Sequence, residues 1–361
     1  MISFDKCSKS SNIISIDNDR GNGVQIAKWY NNHIAAISLT YDSGWPPSEN
    51  DKIVQKFIIE NNMVMDYEIV TEGYEAYPQL IEYMINFLIP NRFGFFGHGH
   101  THINHDVLSY NDAYQSFKQC YNSMREMGLK PIAYGYPGGY GYEQETQQAL
   151  ADAGFLCGRM HKTSYHENSL IVPDSILAPE NWFELPCLVM QDIDFTQDSS
   201  SINNNNELIQ YLDEAISNHA FLILAYHSIG NEQGWGFFKL SEFEKNIQSI
   251  KERDFWNASI NDIILYIKER ETAQISADFS LANLKEMPRI ELIISDGLPN
   301  QIYDQPLTVI LEIPDKWINQ HVRIYDAGKY MDEVIFDSKY GMISILPNEK
   351  KYTLILMSPV F

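Results

Sequence analysis

Apolar residues recur with two alternating periods over the first 270 or so positions and with one period after that. Short runs rich in β-branched and aromatic residues at 35–40, 63–70, 92–96, 131–136, 155–158 and 221–226 predict strands. Between them the spacing turns helical. Ile53, Val54, Phe57 and Ile58 share one face of 51–60. Leu80, Ile81, Met84, Ile85 and Leu88 share one face of 78–89, which Pro78 opens and Pro90 closes. Further helices are expected at 109–127, with Ser109 as N-cap and Gly128 as the stop, and at 143–153, ended by Gly154. Others are expected at 207–217, at 241–252 behind a Ser241-x-x-Glu244 capping box, and at 259–270. The stretch 160–206 reads as irregular, closing in an exposed loop at 203–206.

Strands alternating with helices predict an α/β fold with a parallel sheet, either a barrel or a doubly wound sheet. Past Thr272 the helical period vanishes. Strand-like runs at 289–295, 307–313, 321–326, 331–336, 341–346 and 351–357 are separated by Gly, Pro, Asp and Asn turns, which predicts a small all-β module of sandwich type. The expected division is therefore residues 1–274 and 275–361, with the change of character at about 272–285.

Composition narrows the partners. Lys and Arg number 26 against 48 Asp and Glu, a net charge of −22, so no clustered cations await a nucleic acid or an anionic membrane. No apolar run is long enough to span a bilayer, and the first residues lack the apolar core of a signal peptide, so a cytoplasmic protein is expected. The cysteines, Cys7, Cys120, Cys157 and Cys187, show no paired spacing and read as free or buried thiols.

The densest chemistry is the stretch 97–105, GHGHTHINH, which packs four of the 10 histidines into eight positions. His98 and His102 are four apart and converge on a helix or an irregular turn; on a strand His98, His100 and His102 would share a face. Either arrangement could present imidazoles to a metal ion. In a β/α barrel, catalytic groups sit where strands end. Asp42, the histidine cluster, the glycine-rich turn at 135–139 and His227 each follow a predicted strand.

Those segments resemble the motifs of NodB-type polysaccharide deacetylases, the carbohydrate esterases of family four, over roughly residues 30–270. Thr40-Tyr41-Asp42-Ser43-Gly44 resembles their T-F-D-D-G, and His98 and His102 match the spacing of their H-[ST]-x-x-H. Gly135-Tyr136-Pro137-Gly138-Gly139 matches their proline–glycine turn, and Leu224-Ala225-Tyr226-His227 their terminal Leu-x-His with one extra residue. The resemblance implies a distorted (β/α) barrel holding a divalent metal ion, zinc being the expected one, and metal-assisted hydrolysis of an acetyl group on a carbohydrate substrate. It implies His98, His102 and Asp42 as metal ligands, Asp42 also as general base, His227 as general acid and the backbone N–H of Gly138 as oxyanion donor.

Three positions depart from the family pattern. Ser43 stands where the family has a metal-binding Asp, Gly99 replaces a Ser or Thr, and Gly135 falls where an Arg would pair with the base. Asp42, His100 or His105 would then have to complete the metal site. The alternatives are a catalytically impaired carbohydrate-binding relative and a hydrolase of other C–N bonds, such as ring amides. Trp45, Trp182 and Trp235 are candidate sugar platforms.

Overall fold

The two hydrophobic periods sort the chain into two compact units. The computed structural model describes residues 23–42, 47–160, 169–192 and 201–357. One unit comprises 33–271 together with 299–305, and the other is built from residues 23–32, 272–298 and 306 onward. Ser43, Gly44 and Trp45 lie outside the described residues.

In the larger unit the strand-like runs form a parallel sheet. Its strands are β2 (Ala35–Tyr41), β3 (Asp66–Ile69), β4 (Gly94–Gly97), β5 (Ala133–Gly135), β6 (Cys157–Arg159), β7 (Leu188–Met190), β8 (Phe221–Tyr226) and β9 (Phe255–Asn257). The order is β6-β5-β4-β3-β2-β8-β7, and every pairing is parallel. The two ends of that order meet. Arg159 of β6 bridges in parallel to Leu185, three residues ahead of β7, so the sheet curls back on itself as a barrel. It is a distorted one, because β2 pairs on one side with β9 over its first half and with β3 only at its last two residues. Asn257 fills the resulting gap, exchanging hydrogen bonds with the backbone of Val64 at 2.6 and 3.1 Å.

Helices α1 (Glu49–Glu60), α4 (Tyr110–Glu126), α5 (Gln144–Ala153), α6 (Asn205–Ser217) and α7 (Leu240–Lys251) cover the sheet. Alternate strand residues such as Ile37, Leu39, Tyr67, Phe95, Tyr134, Leu222 and Leu224 point outward. They share one buried cluster with Val54, Ile58, Phe117, Met124, Leu150, Leu212 and Ile247 of the helices. The opposite strand face carries Ser38, Thr40, Asp66, Glu68 and Arg159, all buried. The barrel therefore has an apolar jacket and a polar lining.

Several local expectations shift. The helix expected at 78–89 is α3 (Pro78–Tyr83) passing into a π-helical turn at Met84–Leu88 and a 3-10 turn at Ile89–Asn91. Pro90 has no N–H to continue an α-helical ladder. Ser48, Ser109 and Asn204 cap α1, α4 and α6 through their side chains. Asn204 thus opens a helix where an exposed loop was expected. The Ser241-x-x-Glu244 box does not form, because α7 begins two residues earlier, with Lys239 at its N-cap. Among the described residues no helix is long and apolar enough to cross a membrane.

The smaller unit is all antiparallel. One sheet joins β1 (Val24–Ile26), β12 (Leu307–Glu312) and β15 (Tyr340–Ile345); the other runs β10-β11-β16-β13-β14. Those five strands are Gln274–Asp278, Arg289–Ser295, Asn348–Leu356, His321–Asp326 and Lys329–Ile335. Alternation buries Ile290, Leu292 and Ile294 on β11 and Ile343 and Ile345 on β15, while β12 is buried from Leu307 to Leu311. Val24–Ile26, ahead of the barrel in sequence, belongs to this β unit by pairing with β12. Three residues with one buried alternation carry too little period to be read from sequence.

One buried acid in the barrel lining predicts a pH effect. Asp66 accepts on Oδ2 from the Ser38 hydroxyl at 2.9 Å and from the backbone N–H of Ile260 at 2.8 Å, where α8 (Ile260–Thr272) begins. Its Oδ1 is buried without a hydrogen-bond partner among the described residues. Burial outweighs the two bonds and pushes the carboxyl up to about 8. The folded chain then keeps a proton that the unfolded chain releases above its ordinary carboxylate pKa. Stability should fall, by up to about 1.4 kcal/mol per pH unit, as pH rises from that value towards 8. Urea midpoints compared at pH 5 and pH 8.5 should show this loss in the wild type and a smaller one in Asp66→Asn.

Candidate active site

The polar lining opens at the C-terminal ends of the strands. Backbone ladders set the residues there: the Asp42 N–H donates to Tyr226 O at 3.0 Å, and the His98 N–H donates to Ile69 O at 2.8 Å. Asp42 thus follows β2, His227 follows the neighbouring β8, and His98 follows β4, with β3 between β4 and β2. Beyond His98 the chain is neither helix nor strand. Gly99 sits at φ +107°, and a Cβ there would lie 2.5 Å from the Thr101 carbonyl oxygen, so only glycine makes this bend. The N–H groups of Thr71 and Glu72, opening α2 (Thr71–Ala76), bind the carbonyls of Gly99 and His100 at 3.0 Å each and pin the loop.

The loop brings His102 back against His98, their ring centres 5.0 Å apart. Ligand atoms of Asp42, His98 and His102 all lie within 4.8 Å of one another, and among the described residues no other trio of His, Cys, Asp and Glu does so. Asp42 Oδ2 is 3.4 Å from both His98 Nε2 and His227 Nε2. All four side chains line a cavity of about 310 Å³, together with Gly138, Gly139, Tyr136 and Trp235. Asp42, His98, His102, His227 and Gly138, the residues the resemblance implies for the chemistry, thereby line one pocket. Gly138 does so through a turn in which it takes φ +64°.

The other histidines do not. His100 turns away, its Nδ1 3.0 Å from Thr71 Oγ1 and its Nε2 2.7 Å from the Gln119 amide. His105 is buried, stacked on Phe117 at 4.1 Å with Nε2 2.9 Å from Ser116 Oγ. Burial depresses it to about 4, so it stays neutral. The candidates to replace a carboxylate at Ser43 therefore reduce to Asp42. His105→Gln should leave zinc content at the wild-type level while His102→Gln lowers it, as measured by metal analysis after dialysis.

Trp235 is 62% exposed and stands edge-on to the His227 ring, with centres 4.3 Å apart. Trp182 does not line the cavity; the Lys268 ammonium covers its ring at 3.6 Å.

Two residues absent from the motif reading dominate the floor. Glu68 Oε2 is 3.0 Å from His98 Nδ1, which also lies 2.9 Å from the Gly135 carbonyl oxygen. Arg159 forms a buried ion pair with Glu68 and reaches the Cys187 sulfur at 3.7 Å. Burial opposes ionisation of Glu68, yet Arg159 and His98 overcome it and hold the carboxyl below its ordinary value. Burial likewise disfavours charge on Asp42 and His98. Their mutual attraction wins, keeping Asp42 well below the carboxylate range and, with Glu68, raising His98 to about 10. Without a cation, His98 is an imidazolium between two carboxylates.

Two imidazoles and a carboxylate are a donor set that suits zinc. His98 fits that use. Both groups facing Nδ1 are acceptors, so the ring hydrogen belongs there, and Nε2 is buried without a hydrogen-bond partner among the described residues.

No protein-family model and no curated protein matches the sequence. Solved structures do. The family 4 carbohydrate esterase from Streptomyces lividans, in complex with acetate, aligns at TM-score 0.40 and 13% identity, over 63% of this chain and 92% of that one. The peptidoglycan deacetylase PdaC from Bacillus subtilis aligns at 0.42 and 12%, over 68% and 96%. A CE4 family pseudoenzyme from Bacillus anthracis aligns at 0.41 and 11%, over 63% and 65%. At identities and scores this low, only the geometry of the site can speak to its chemistry.

Proposed function

We propose that the chain is a metal-dependent hydrolase that removes acetyl groups from a polysaccharide or an acetylated amino sugar. The observation that carries this reading is the Asp42 carboxylate, equidistant from His98 and His227 at 3.4 Å, with His102 beside it in one cavity. A divalent cation held by His98, His102 and Asp42 would supply Lewis-acid polarisation of the acyl carbonyl and acidify water. Asp42 accepts the proton of the attacking water, and His227, across from it, returns a proton to the departing amine or alkoxide. The Gly138 N–H offers a hydrogen bond to the oxygen that gains charge. The exposed face of Trp235 gives a sugar ring a platform beside His227.

The test is acetate release from chito-oligosaccharides and acetylated xylan by the zinc-loaded and chelator-stripped protein, with a cyclic amide as comparison. Zinc-dependent release from an acetylated sugar is the expected result. A protein that takes up no zinc or cobalt, and releases no acetate, would instead be a carbohydrate-binding relative.

A further inference from the structure

The motif resemblance leaves Gly135 where an arginine would stand, and the fold places an arginine there by another route. Gly135 and Arg159 are direct partners in the parallel ladder of β5 and β6. A Cβ on Gly135 would lie 2.7 Å from Arg159 Nη2 and 2.7 Å from Glu68 Oε2. The guanidinium thus fills the volume that any side chain at 135 would need, and it faces Glu68, not Asp42. Glu68 in turn faces His98 Nδ1 at 3.0 Å. Glu68 and Arg159 are both buried, and Glu68 Oε2 faces the guanidinium on one side and the His98 ring on the other.

We propose that Glu68 and Arg159 are positioning residues for the cation: together they lock the His98 ring with its hydrogen on Nδ1 and Nε2 open towards Asp42 and His102. A carboxylate behind a ligating imidazole fixes the tautomer and strengthens the ligand. Glu68 alone would be a costly buried charge, and Arg159 neutralises it. Gly135 is required because the neighbouring strand occupies its side-chain space. The inference rests on the metal-site reading above and deepens it.

The full-length protein, stripped and then titrated with zinc and with cobalt, tests it. Affinity is read by chelator competition and the cobalt visible spectrum reports ligand geometry. Glu68→Gln should weaken zinc binding by about 10–100-fold and alter the cobalt spectrum. Glu68→Gln/Arg159→Met removes both charges of the buried pair, so it keeps the comparison readable if the single variant does not melt cooperatively, and it should show the same loss. Folded variants that bind both ions with wild-type affinity and spectrum overturn the inference while leaving the proposed function standing. A wild-type protein that binds neither ion removes the proposed function, and this inference with it.

Discussion

Asp42→Asn should lower acetate release by about 10²–10⁴-fold, the usual share of a general base, and should also reduce zinc content. The second effect sets Asp42 apart from His227. Asp42 Oδ2 faces both His98 Nε2 and His227 Nε2, whereas His227 is not part of the trio whose ligand atoms converge. His227→Gln should therefore cost activity at undiminished zinc content, and Asp42→Asn should cost both. The substitution has a third consequence that needs no substrate. Asp42 is the largest influence raising His98 against burial, so in the metal-free variant His98 should release its proton at lower pH than the wild type's value of about 10. An NMR titration of the histidine ring signals checks the direction. If zinc stays fully bound in Asp42→Asn, then Asp42 is not a ligand, and His98 and His102 hold the cation without it.

The strand ends that carry Asp42, His98 and His227 were legible because each motif follows an apolar run with a clear period. Phe221–Tyr226 is buried at every position and was read to its exact ends. Glu68 and Arg159 were not read as site residues, although one signal was present. Parallel strands buried on both faces are nearly continuous in apolar residues, and β3 breaks that rule twice, at Asp66 and Glu68. Two acids at alternate positions of such a strand must share the face turned from the helices, which marks the barrel lining as polar. Arg159 gives no comparable sign, because β6 has three residues and its importance comes from the β5–β6 register. Register is a tertiary fact. The barrel's closure through the isolated Arg159–Leu185 bridge is invisible for the same reason. His100 and His105 show the opposite error: sequence proximity to His98 suggested ligands, and the bend at Gly99 together with the Phe117 stack removes both.

Arg159→Ala should be the most damaging change to stability. Both side chains of the Glu68–Arg159 pair are almost wholly buried, at 1% and 3% exposure, so the variant strands a carboxylate in the barrel lining with only His98 to balance it. Removing one partner of a buried pair costs about 3–5 kcal/mol, whereas replacing both by apolar or neutral groups costs far less. Glu68→Gln/Arg159→Met should accordingly be more stable than Arg159→Ala despite carrying two substitutions, and chemical denaturation followed by circular dichroism would rank them. The pH dependence identifies the cause. In the wild type Glu68 is held below its ordinary value, so its contribution is present above the unfolded carboxylate pKa and is lost as pH falls through the folded one. In Arg159→Ala burial acts on Glu68 with its strongest opponent gone, and the carboxyl rises. The variant then gains stability relative to the wild type as acid protonates Glu68. The gap between the two proteins should widen from pH 4 to pH 7. A gap of constant size over that range would mean that lost packing around the guanidinium, and not a stranded charge, is what the substitution costs.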